Sequence, residues 1–226
     1  MFKISKFAKQ KVLLKNQKKY INFQFIYQFG LLLLSFLVLI VLSLMYPTTL
    51  ENFMHIGDLK AQVKSVAWLG IGENETWLSL GLSLSFFITA ITATFIYVQF
   101  KKLNIKISLI VPFLPWVVLF SLTNSFSEEV IYRYGVIIPL YGNINIDFIL
   151  IFSAILFGIP HFKGMPNGIV GVLMASLLGY LLAKSVIETN GFFWAWLIHF
   201  LQDIVIISAL FLSTIKNDNK SLERNI

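Results

Sequence analysis

Apolar runs long enough to cross a membrane decide what this chain can fold into. The first, Phe23 to Tyr46, covers about 24 residues, against the roughly 20 a helix needs to span the hydrocarbon. Further apolar segments follow at 77–100, 107–124, 126–139, 147–162, 167–187 and 191–213. With 57% hydrophobic and only 13% charged residues, the chain is too poor in charge to present a soluble domain's surface. The fold class that follows is all-α, a polytopic integral membrane helical bundle of about seven hydrophobic segments, the fourth and fifth of them short. A basic region ahead of an apolar run also describes a secretory signal peptide. A signal core, however, is roughly 7–15 residues, and no small-residue cleavage site follows Tyr46, so the first span is read as retained.

Charge gives the orientation. Lys3, Lys6, Lys9, Lys11, Lys15, Lys18 and Lys19 precede the first span with no acid among them. The tail runs straight into a membrane segment, so the net charge of +7 points to a cytoplasmic anchor beside anionic lipid rather than to nucleic acid. KKLNIK at 101–106 falls on the same side after two spans, and the two signals agree. The polar stretch 48–75, with Glu51, Asp58, Lys60, Lys64, Glu73 and Glu75, then lies outside. Four regions are expected: a basic cytoplasmic tail (1–22), a transmembrane pair with its polar loop (23–106), a membrane core (107–215) and a short polar tail (216–226). The absence of Cys excludes disulfides and thiolate chemistry.

Some local features carry expectations of their own. Pro112 and Pro115 should kink or restart the third segment. A short helix over about 126–139 is expected to open at Ser125 or Ser127 and close at Pro139. Lys163, Lys184 and Glu188 sit near enough to segment ends to snorkel. Gly168, Gly171, Ala175 and Gly179 form a small-residue stripe on one helix face, read as packing.

Ionisable groups inside hydrocarbon need a partner or a function. In the last four segments these are Glu128, Glu129, Arg133, His161, His199 and Asp203. Glu129 and Arg133 are four apart and share a helix face, while Glu128 points about 100° away. Glu129 is thus assigned to Arg133 as a buried pair, leaving Glu128 free. A purely structural ion cluster uses the same residues. Phe157 and His161 are four apart, as are His199 and Asp203, and Asp203 stands where it could orient the imidazole. Two chemistries fit. Glu128 with His161 could activate a water while His199 and Asp203 support an oxyanion. Alternatively Glu128, His161 and His199 could ligate a zinc ion, although no HExxH pair is present. No cofactor is favoured, and Glu128 is preferred as the base.

These three stretches resemble the CPBP family, the CAAX protease and bacteriocin-processing enzymes also called Abi. Its motifs are two Glu, three residues, then Arg; Phe, three residues, then His; and His, three residues, then Asn or Asp. They are matched by Glu128, Glu129 and Arg133, by Phe157 and His161, and by His199 and Asp203, within roughly 108–213. The resemblance implies intramembrane hydrolysis of a membrane-associated protein or peptide. It places Glu128 and His161 at the water and His199 and Asp203 at the oxyanion. Tyr134 follows Arg133 where relatives commonly have Gly, and Asp203 stands where many have Asn. Low Gly and Ala with abundant Ile, Lys, Asn and Phe suggests an AT-rich bacterial genome, where the resemblance implies pheromone or bacteriocin processing, self-immunity or regulation of a membrane partner. A non-catalytic scaffold and a transporter are the rival readings, the latter disfavoured because the ionisable residues cluster in the second half only.

Overall fold

Hydrocarbon offers backbone N–H and C=O groups no partner, so an apolar segment must satisfy them within itself. The computed structural model describes residues 6–72, 74–102, 106–164 and 168–224, with side chains over the same ranges except 6–16, 99, 102 and 215–224. Residues 1–5, Glu73 and 103–105, with the side chains of 6–16 in the Lys-rich tail and of 215–224, therefore lie outside what is described. The helices are α1 (Lys6–Met45), α2 (Pro47–Phe53), α3 (Trp77–Lys102), α4 (Leu114–Glu129), α5 (Gly135–Leu140), α6 (Ile146–Gly158), α7 (Gly168–Thr189) and α8 (Phe193–Arg224). Among the described residues, six helical stretches are long and apolar enough to cross a membrane: Gln17–Met45, Trp77–Val98, Ile107–Leu140, Ile146–Lys163, Gly168–Thr189 and Phe193–Thr214. Pairing of β type among them is limited to two isolated bridges in the loop before α3. The protein is an integral membrane helical bundle.

Seven apolar segments become six spans because 107–124 and 126–139 form one rod. Pro112 sits within a 3₁₀ turn, Ile107–Phe113, and Pro115 in the first turn of α4, where a missing N–H leaves no ladder bond unmade. Ser125 and Ser127 do not begin a helix as expected. Both are buried inside α4, and Ser125 Oγ donates to the Ser121 carbonyl at 2.7 Å. Pro139 lies inside the last turn of α5 rather than beyond it. Between α4 and α5 the rod widens into a π-helical turn, Val130–Tyr134, which the sequence did not announce.

Large apolar side chains project outward, Ile26 at 73% and Leu44 at 77% exposed, as expected of a surface solvated by lipid. Inside, the core falls into two apolar layers. One gathers Leu42, Trp77, Ile137, Ile149, Leu182, Trp194 and Ile198. The other gathers Phe100, Ile110, Val117, Phe120, Ile207 and Phe211. Along the third span the chain leaves the second layer at Phe120 and joins the first at Tyr134. Along α8 it leaves the first at Ile198 and rejoins the second at Ile207. The residues between these points, including every charged residue of the first and third motifs, form a polar layer enclosed above and below.

The loop before α3 is fastened to the α7–α8 turn by its backbone. Asp58 N donates to Thr189 O at 2.8 Å, and Phe192 N donates to His55 O at 3.1 Å. Gly57 and Gly191 meet at this crossing so closely that a Cβ on Gly191 would strike the Gly57 backbone. Lys184 and Glu188 do not snorkel. Their side chains are 4% and 7% exposed and pair at 2.5 Å, and Trp77 Nε1 donates to Glu188 at 3.0 Å. They line a cavity of about 430 Å³ together with Lys64, Asp147 and Tyr180; no motif residue lines it.

Candidate active site

The first motif straddles the α4–π junction. Glu129, the last residue of α4, and Arg133, inside the π turn, are both fully buried. Arg133 Nε lies 2.9 Å from Glu129 Oε2, and a terminal guanidinium nitrogen donates to Glu129 Oε1 at 3.2 Å. This two-point contact suits the planar guanidinium. The other terminal nitrogen donates to Ser153 Oγ on α6 at 3.4 Å. The guanidinium carbon lies 4.4 Å from the Phe157 ring centroid, so the cation also rests on an aromatic face. A buried charge this well enclosed would be severely unfavourable without these partners.

Glu129 does more than the sequence assigned to it. Its Oε1 also accepts from His199 Nδ1 at 2.8 Å, the nearest contact that fixes the imidazole. Asp203, expected to orient His199, faces the opposite nitrogen: its Oδ1 is 3.7 Å from Nε2. Glu128 Oε2 faces that same nitrogen at 3.6 Å. Since a carboxylate only accepts, Nδ1 carries a proton toward Glu129 and Nε2 is left facing Glu128 and Asp203. Glu128 retains 17% side-chain exposure, against none for Glu129, so the two adjacent acids occupy different environments.

His161 is placed differently. The α6 ladder gives way to a 3₁₀ turn, Ile159–Lys163, at Pro160, which has no N–H to continue it. His161 Nδ1 donates to the Phe157 carbonyl at 2.8 Å, and its Nε2 has no hydrogen-bond partner among the described residues. The Phe157 ring stands between the two imidazoles, 4.9 Å from the His161 centroid and 5.4 Å from that of His199. The structure thus brings Glu128, Glu129, Arg133, His199 and Asp203 together and sets His161 across Phe157, partly exposed. Among the described residues no group of three or more His, Cys, Asp or Glu is arranged to hold a metal ion. Glu128, His161 and His199 do not form the ligand set that a zinc centre would use.

Two site residues escaped the sequence reading. Asn124, one turn before Glu128, donates from Nδ2 to Glu128 Oε1 and to Asp203 Oδ2, both at 3.1 Å. Gln28 on α1, 5% exposed, donates to Asn124 Oδ1 at 3.2 Å. Each is an amide in an apolar helix, Asn124 alone in α4 and Gln28 one turn after Gln24 in α1, which was the available signal.

Comparison with known proteins adds one match. Residues 110–205 match the family described as Type II CAAX prenyl endopeptidase Rce1-like. That stretch begins in the 3₁₀ turn before α4 and ends just beyond Asp203, so it holds the whole polar cluster except Gln28. No curated protein and no solved structure matches the chain. A buried His–carboxylate cluster inside a membrane bundle, within a stretch similar to a CAAX prenyl endopeptidase family, is consistent with a hydrolytic site of that kind.

Proposed function

We propose that this protein is an intramembrane endopeptidase that hydrolyses a peptide bond in a membrane-associated protein or peptide. The observation that carries the reading is the environment of His199. Glu129 holds one ring nitrogen, while the other faces the partly exposed Glu128 and Asp203 inside a layer closed by apolar side chains. Glu128 takes a proton from water, and His161, with its Nε2 uncommitted, completes the positioning of that water at the Phe157 edge. The water oxygen attacks the scissile carbonyl. His199, cationic and donating from Nε2, stabilises the oxyanion, with Asp203 balancing its charge. Glu128 then returns the proton to the leaving amine. Glu129, Arg133 and Phe157 support this arrangement without touching the reacting atoms. The side chains present do not assemble a zinc site, so no step is routed through a metal.

The test is a purified, liposome-reconstituted protein challenged with quenched-fluorescent membrane-anchored peptides, prenylated CaaX sequences and unmodified bacterial peptides alike. Cleavage is expected in wild type, surviving dialysis against a strong chelator, and absent in Glu128→Gln. No cleavage by a monodisperse wild type across the library would overturn hydrolysis and favour a membrane scaffold or regulator. Activity lost to the chelator and restored by one equivalent of zinc would reassign Glu128, His161 and His199 as ligands. Which peptides are cut would identify the substrate class.

A further inference from the structure

The amide chain from α1 to Glu128 has a direction that the partners themselves dictate. Glu128 Oε1 and Asp203 Oδ2 both lie 3.1 Å from the same terminal atom of Asn124. Carboxylates accept and do not donate, so that atom must be the amide nitrogen, with one hydrogen for each acid. Asn124 Oδ1 therefore faces Gln28, which must present its own nitrogen, at 3.2 Å. Gln28 Oε1 in turn faces Thr123 Oγ1 at 3.3 Å, whose single hydrogen also has the Leu119 and Phe120 carbonyls within reach at 3.0 and 3.1 Å. Every side-chain polar atom of Asn124 is used, on a part-buried face shared by α1, α4 and α8.

This chain meets an electrostatic need. Glu128 and Asp203 flank one nitrogen of His199, and two carboxylates so placed repel each other and would splay apart in a medium of low dielectric. The Asn124 NH₂ group ties them to one point. It also occupies Glu128 Oε1, which leaves Oε2 as the oxygen that faces His199.

Resting on the hydrolysis proposed above, we propose that Asn124 is a positioning residue for Glu128, and that Gln28 on the first span sets which way Asn124 faces. The site then extends beyond the 110–205 stretch that matches a known family, and the first span is part of the machinery rather than an appended anchor.

The experiment compares Asn124→Ala, Gln28→Leu, Gln28→Glu and the Asn124→Ala/Gln28→Leu double variant in the reconstituted peptide assay. Elution profile and thermal midpoint are measured for each. Asn124→Ala is expected to lower kcat by about 10²-fold at near-constant KM, as a misplaced reacting group does. Gln28→Leu removes the donor to Asn124 without supplying a competing acceptor and should lower kcat less. The double variant should fall no further than Asn124→Ala, because Gln28 acts through Asn124. Gln28→Glu keeps the shape and, assayed at a pH where its carboxyl is ionised, can only accept, so it draws the Asn124 nitrogen away from the acids and should lower kcat as far as Asn124→Ala. A merely structural amide pair would lower the thermal midpoint without ranking Gln28→Glu below Gln28→Leu in kcat. Should Asn124→Ala fail to fold, that ranking decides alone. A cleaving wild type with equal kcat in both Gln28 variants overturns this inference and leaves hydrolysis standing. A folded wild type that cleaves nothing overturns both.

Discussion

Two neighbouring carboxylates, one peptide unit apart, are given opposite circumstances by helix geometry. Glu129 turns into the bundle and is shared by Arg133 and His199, whereas Glu128 keeps partial exposure. Their isosteric amides should therefore fail in different ways. Glu128→Gln still accepts from Asn124 and should fold normally, while cleavage falls by about 10²-fold or more, the scale of a lost general base. Glu129→Gln strands a buried guanidinium and should destabilise the fold by about 3–5 kcal/mol, read as a lowered thermal midpoint and a smaller monodisperse fraction. Normal cleavage by Glu128→Gln would move the water-activating role elsewhere. Tyr134 offers a structural contrast at the same turn. Its hydroxyl donates to the Phe53 carbonyl and meets none of the motif residues, so Tyr134→Phe should cost about 1 kcal/mol of stability and leave kcat unchanged.

At the level of elements, the placement of the site depends on where helices depart from ideal form. The π turn Val130–Tyr134 follows Glu129 directly and sets the face on which Arg133 meets both Glu129 and Ser153; such turns often sit at functional sites. Nothing in a hydropathy pattern marks one, and the capping potential of Ser125 and Ser127 instead suggested a fresh helix a turn earlier. Spacing within each motif was legible, because i and i+4 share a helix face whatever surrounds them. The distribution of partners was not, because Glu129 reaches His199 across 70 residues of chain. The small-residue stripe on α7 shows the same division. Read as packing, it packs at Gly179, where a Cβ would come within 3.1 Å of the Phe157 ring and 3.2 Å of Ala154 Cα, but not at Gly168, where a Cβ would meet nothing within 4 Å among the described residues. That ring also separates His161 from His199. Gly179→Val should therefore cost about 1–3 kcal/mol by overpacking and also reduce kcat by displacing Phe157. Thermal melts and cleavage rates on the same sample check both, and an unchanged kcat would detach Phe157 from the chemistry.

For the whole molecule, the alternation of six spans puts the loop before α3 and the α7–α8 turn at one end, and the α3–α4 and α6–α7 connections at the other. From the Lys-rich signals we propose that the second end faces the cytoplasm. The absence of Cys makes this testable with single introduced thiols. Lys60→Cys should react with an impermeant maleimide on intact cells, and Lys101→Cys only after the membrane is opened; the reverse pattern would invert the protein. The bundle's most internal layer also has a history in time. Translation delivers Glu128, Glu129 and Arg133 long before His199, which comes 70 residues after Glu129. Until the last span arrives, the membrane holds two acids against one base. A chain interrupted before α8 therefore lacks both the His199 contact of Glu129 and the Asp203 contact of Asn124, so the polar cluster closes only when the last helix packs.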